Sequence, residues 1–169
     1  MSTLSVDTIQ GKTTAGTVAM PSGMVVQTSF HTFSDLTTIT TSSNVDLTGS
    51  SHSFTPKFAS SLLIISFSVV LRMNRDNNAQ GGTVNCVVDS SNIIHPTGGA
   101  LYENYFKIAS GNINNYVRIQ KEVSTSASNT NVKTVKLVGQ PFSTADNGQI
   151  QINPSGYFTS SIKIQEIVQ

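Results

Sequence analysis

The sequence predicts an all-β fold, an antiparallel β-sandwich of jelly-roll type with an extended N-terminal arm, and three observations lead to it. Residues 62–71, LLIISFSVVL, are the most apolar and β-branched run of the chain. Pro56 before it, the serines within it and the polar residues from Asn74 onward make it a strand rather than a helix. Charged residues are only 11% of the chain, against about 25% in ordinary domains, so neutral Ser, Thr, Asn, Gly and Gln carry its solubility and favour strands and turns over helices. Third, about eight to ten short segments of strand character are separated by turn residues, with no long helical pattern and no short-period repeat.

At 169 residues the chain has length for one domain of about 100–200 residues plus an appendage. It divides into an arm, residues 1–24, and a body, residues 25–169. In the arm, Leu4, Val6, Ile9, Val18, Met20 and Met24 are spaced too widely among Ser, Thr, Gly and Lys to close a core. An extended segment of this kind gains order by lying on a partner surface or a sister subunit.

Residues 24–33 alternate loosely as a first strand, and 36–41, rich in threonine, form an edge-like second. Residues 44–53 turn around Gly49. Residues 54–58 approach the central strand, and Pro56, which lacks a ladder donor, assigns that approach to an edge or a loop. In the central strand Leu63, Ile65, Phe67, Val69 and Leu71 share one face and Leu62, Ile64, Ser66, Ser68 and Val70 the other, so both are expected to be at least partly buried. Residues 74–82, NRDNNAQGG, read as a long polar surface connection. Residues 84–88 form a strand, and 89–92 supply the Asx and Ser chemistry of a hairpin turn into Ile93 and Ile94. Between 95 and 111, Leu101, Tyr105 and Ile108 recur at helical spacing, which makes a short helix an option there. Residues 116–123 alternate with Tyr116, Arg118, Gln120 and Glu122 outward, and 130–138 read as their partner strand across a polar turn. A loop at 141–148 precedes the last strands, 149–152 and 158–168. Ile162 and Ile164 share a face that Ile167 leaves, which predicts a bulge or a face switch near Gln165.

Several chemistries are excluded by the residues. A net charge of +1 without a Lys/Arg cluster argues against nucleic-acid binding, which depends on phosphate neutralisation, and against attraction to acidic lipids. The serines in the apolar run argue against membrane insertion, which needs about 20 apolar residues. Cys86 is the only cysteine, so there is no internal disulfide, and its place on the apolar face of a strand makes it a buried, inert thiol. His31, His52 and His95, one in a strand and two in loops, lack metal-ligand spacing. Asn74, Asp76 and Asn78 alternate like the start of a calcium loop, but Ala79 and Asn85 stand where the turn glycine and the bidentate glutamate belong. The carboxylates sit at turns or outward strand positions, so no glycosidase pair can be singled out, and no glycine-flanked serine forms a nucleophile elbow. The expectation is a non-enzymatic protein without metal or cofactor. The N-terminus lacks the basic lead and apolar stretch of a secretion signal, so synthesis in a cytoplasm is expected.

The opening STLSVDTIQGKTTAGTVAMPSGMVVQTS, joined to SFTPKFASSLLIISFSVVL and the ending SIKIQEIVQ, resembles the small tail-fibre-like structural proteins encoded by phages of marine and other aquatic bacteria, cyanophages among them. The likeness is strongest at residues 6–10, 21–27 and the FTPK approach. It implies a virion component, a homotrimer whose arm contacts tail, adaptor or capsid proteins, and a role in host attachment or, alternatively, in capsid decoration. The arm residues Leu4, Val6, Ile9, Val18, Met20 and Met24 would then be the anchor. For contact with a host glycan or protein, exposed loops and a Tyr/Asn-rich region are the candidates: Arg75, Asp76, Asn77 and Asn78, and Tyr102, Tyr105, Asn114 and Asn115.

Overall fold

The computed structural model describes residues 21–76, 79–93, 104–106, 113–155 and 158–169. Twelve strands and no helix occur among them: β1 (Val25–Phe33), β2 (Thr37–Ile39), β3 (Val45–Asp46), β4 (His52–Phe54), β5 (Leu62–Arg75), β6 (Gln80–Val88), β7 (Ser91–Ile93), β8 (Asn104–Phe106), β9 (Ile113–Ser126), β10 (Lys133–Pro141), β11 (Gln149–Ile152) and β12 (Ser160–Ile167). All pairings are antiparallel, in two six-stranded sheets.

The apolar run is the centre of the first sheet, as its two-sided pattern predicts. β9 pairs with one flank of β5 along its whole length. The other flank is shared: β12 takes residues 62–68 and β11 residues 71–74. β1 lies outside β12, and β2 lies outside β11 as an edge strand. In the second sheet β10 is flanked by β6 on one side and by β3 and β4 on the other, and β6 in turn carries β7 and β8.

One core joins the sheets. Leu63, Ile65, Phe67, Val69, Leu71 and Met73 of β5 cluster with Ile162 and Ile164 of β12 and with Val84, Cys86, Val135 and Leu137 of the second sheet. Burying each such side chain contributes about 1.5–3 kcal/mol. Cys86 is fully buried, and burial pushes its thiol pKa up to about 12. At Gly139 there is no room for a side chain: a Cβ there would sit 2.9 Å from Ile39 Cδ1 of the other sheet. The β6–β7 hairpin forms as expected, with Asp89 and Ser90 both at positive φ (47° and 74°), the backbone of a two-residue primed turn.

Four expectations are corrected. Residues 74–82 are not a long surface loop, because β5 runs to Arg75, β6 begins at Gln80 and both side chains are buried. Their polar groups face the 142–148 loop: Gln80 Nε2 donates to Ser143 O (2.9 Å), and Arg75 pairs with Asp146 (3.2 Å). β9 and β10 are not partners, since the link between them crosses from the first sheet to the second. His52 lies in β4 rather than in a loop. No face switch occurs in β12, which alternates to its end with Glu166 inward; the register shift lies in β1, between Val25 and Gln27. Within residues 95–111, Asn104–Phe106 is a strand; the rest of that segment, including Leu101 and Ile108 of the helix option, lies outside the described residues.

Candidate functional site

The outward positions of the first sheet form a polar face crossed by a shallow, open groove of about 460 Å³. Antiparallel register brings its residues together. Phe30, Lys163, Ser66 and Glu122 fall in one row across β1, β12, β5 and β9, and Thr32, Ser161, Ser68 and Gln120 in the next. Phe30 is 64% exposed, an apolar ring among hydroxyl, amide, ammonium and carboxylate groups. Ser66 Oγ donates to Glu122 Oε2 at 2.8 Å, and Arg118 Nη1 donates to Ser68 Oγ at 2.9 Å. Further along β5, Arg72 donates to Asn114 Oδ1 (2.8 Å) and Gln151 Oε1 (2.9 Å) and lies over the Tyr116 ring, 5.7 Å from its centroid. Tyr116 is tilted against Phe158, with centroids 6.0 Å apart.

A second cluster surrounds Glu166. Its carboxylate is fully buried, yet no Lys or Arg side chain pairs with it among the described residues. Instead it accepts hydrogen bonds from the Lys57 N–H (2.9 Å to each oxygen), the Phe58 N–H (2.9 Å), the Ser61 hydroxyl (2.7 Å) and Gln27 Nε2 (2.6 Å). Burial alone would raise its pKa, but these donors outweigh burial and hold the carboxyl below the usual glutamate value. The junction ties the loop before β5 to β1 and β12. Its members are far apart in sequence: Gln27 lies in β1, Lys57, Phe58 and Ser61 in the link between β4 and β5, and Glu166 in β12.

A histidine pair bridges the sheets beside this junction. The His31 and His52 rings stack at 5.0 Å, with 7° between their planes. His31 Nε2 lies 2.7 Å from Gly49 O, and His52 Nε2 lies 2.6 Å from Ser29 Oγ. Burial, and then the charge of His31, lower the His52 pKa. Among the described residues no group of three His, Cys, Asp or Glu side chains is placed to hold a metal.

The loop residues nominated from sequence are dispersed. Arg75 is turned inward, donating to Ala79 O at 2.7 Å, and offers no contact surface. Asp76 Oδ2 accepts from Asn147 Nδ2 at 2.8 Å. Asn114 is exposed and belongs to the polar face through Arg72, whereas Asn115 lies on the other side of β9 and is half-buried. Tyr105 falls in β8. Met24 is 44% exposed. Leu4, Val6, Ile9, Val18, Met20, Asn77, Asn78 and Tyr102 lie outside the described residues. Sequence reasoning missed the groove and the Glu166 junction; β-strand period applied to the last strand would have placed position 166 inward. The chain matches no protein-family model and no curated protein.

Proposed function

We propose that the protein is a bacteriophage virion structural protein, a short tail fibre or fibre-head subunit acting in host attachment, assembled as a homotrimer. Its body is a sandwich of jelly-roll type, and its extended arm, residues 1–24, docks on other virion proteins or on neighbouring subunits. The observation that carries this is the contrast between two surfaces of the body. Around the Glu166 junction, where the arm enters, Met24, Val25 and Phe58 are left 44%, 45% and 39% exposed, apolar surface that suits cover by other polypeptides. The outer face of the first sheet is polar and tipped with aromatic rings, the composition of a recognition surface. The likeness of the arm, the FTPK approach and the ending to tail-fibre-like proteins supports the same role.

The apolar surface at the arm also fits a capsid decoration protein, whose task is to stabilise the shell. Copy number and blocking separate the two. A fibre subunit is present in few copies per particle, and antibodies to the body stop adsorption. A decoration protein is present in stoichiometry with the capsid lattice, and its removal lowers particle stability while adsorption continues. Absence from purified particles overturns both.

A further inference from the structure

We propose that the outer face of the first sheet binds an acidic glycan, a chain of sugar rings bearing carboxylates, laid obliquely across β12, β5 and β9. This names the ligand class for the attachment role and rests on that role for its biological setting; the groove itself is tested in isolation.

The argument starts from the cations. Arg75, Lys133 and Lys136 are each paired with an aspartate, at 3.2, 3.2 and 2.7 Å. Lys57 and Lys121 donate to backbone carbonyls. Arg72, Arg118 and Lys163 have no acidic partner among the described residues, and all three stand on the outer face. Arg72 and Arg118 are braced by neutral acceptors only, the side chains of Asn114, Gln151 and Ser68. Their positions are therefore held while their charge stays uncompensated. Lys163 lies beside the groove without a hydrogen-bond partner among the described residues. Among the described residues the one acid on this face is Glu122, which accepts from Ser66. Three cations against one acid give this face a positive bias that the chain as a whole, at +1, does not have.

Register sets the cations in a bent row staggered along the strand direction, Lys163 on β12, Arg118 on β9 and Arg72 between those strands on β5. Lys163 is level with Ser66, Arg118 with Val70, and Arg72 stands on β5 itself. At about 3.3 Å per residue the row extends about 20 Å. A duplex would set about six phosphates of one strand along that length, one per ~3.4 Å of helix axis, twice the cations available. An anion that also presents many hydroxyls fits the polar groups beside the groove better than a phosphodiester chain does. Ser161 and Gln120 beside the groove have no partner among the described residues and can serve hydroxyls as donor or acceptor. Phe30 at the groove, 64% exposed, offers a flat apolar face against which the C–H face of a sugar ring can stack.

The test uses the whole protein and three probes: oligogalacturonate, its carboxyl-reduced neutral counterpart, and a single-stranded DNA of equal charge. The expected result is amide shift changes confined to β1, β5, β9 and β12 on adding oligogalacturonate, with affinity at least about tenfold above that for either other probe, and weakening as salt is raised. Lys163→Gln and Arg118→Gln should each weaken binding about tenfold, and Phe30→Ala about threefold to tenfold, with unchanged unfolding midpoints because all three side chains face solvent. No shift changes at millimolar oligogalacturonate, changes on another surface, or equal affinity for the neutral glycan or the DNA would each overturn the proposal. Binding here by a protein that proves absent from virions would uphold the groove and overturn the attachment role.

Discussion

Glu166→Gln changes one oxygen into an NH2 group and tests whether a buried anion held without a cation stabilises the body. The amide can keep its oxygen on the side that receives the Phe58 N–H and the Ser61 hydroxyl. Its NH2 then faces Gln27 Nε2, donor against donor, where the carboxylate now accepts at 2.6 Å. Gln27 cannot flip to relieve this, because the same nitrogen donates to Thr55 O at 2.7 Å. One charge-assisted bond is lost, worth about 1.5–3 kcal/mol, and the bonds that survive weaken to neutral ones. Part of the loss is offset because a neutral group costs less to bury than an ion. The net expectation at neutral pH is a loss of about 2–4 kcal/mol, a large share of a typical total of about 5–15.

Acid should erase this difference. The folded carboxyl ionises at a lower pH than the unfolded one, so its contribution is fully present above the unfolded value near ~4.3 and is lost as pH falls through the folded value. Urea unfolding at a series of pH values measures both effects as a midpoint shift at constant m. The wild type and variant curves should converge in acid. A gap below about 0.5 kcal/mol at pH 7, or one that does not narrow in acid, would refute the claim that the carboxylate holds the junction.

Other consequences follow from single contacts. His52 should titrate below the usual ~6.5, so its contribution to stability is whole above that value and lost as pH falls through the folded pKa; His31→Gln should move the His52 ring titration upward, and an unmoved NMR titration would discount the stacked neighbour. Asp146→Asn leaves the buried Arg75 guanidinium without its anion and should cost about 1–3 kcal/mol, more than Arg75→Met, which removes the charge itself; the reverse order in urea melts would contradict the inward placement of Arg75. Cys86 should resist a thiol reagent at pH 8 in the folded protein and react once urea unfolds it; prompt modification of the native state would contradict its burial. Gly139→Ala should push Ile39 aside and cost about 1–3 kcal/mol, read as a lowered midpoint.

Much of the fold could be read from the chain because strand period and burial agree there. Residues 62–71 are apolar on both sides and lie in the middle of a sheet, and the Asp-Ser turn after Val88 closes a hairpin within a few residues. What escaped notice depends on distant partners. Glu166 sits at an inward position, but its four donors lie 105 to 139 residues away in sequence, and an isolated carboxylate in a strand reads as outward. Polarity alone places Arg75 and Gln80 at the surface, whereas the 142–148 loop supplies their partners. A short polar link resembles a hairpin turn whether it joins neighbours or crosses between sheets, as it does from β9 to β10. Lys163, Arg118 and Arg72 form no cluster along the chain and become neighbours in a row only through the pairing of β5 with β9 and β12.

Imaging of intact particles carrying a tagged copy of the chain bears most directly on the proposed role. An attachment protein should appear at a fibre or tail extremity, with its N-terminal end toward the particle and the β1–β12–β5–β9 face turned to the medium. Label spread over the capsid lattice, or that face packed against the shell, would contradict it.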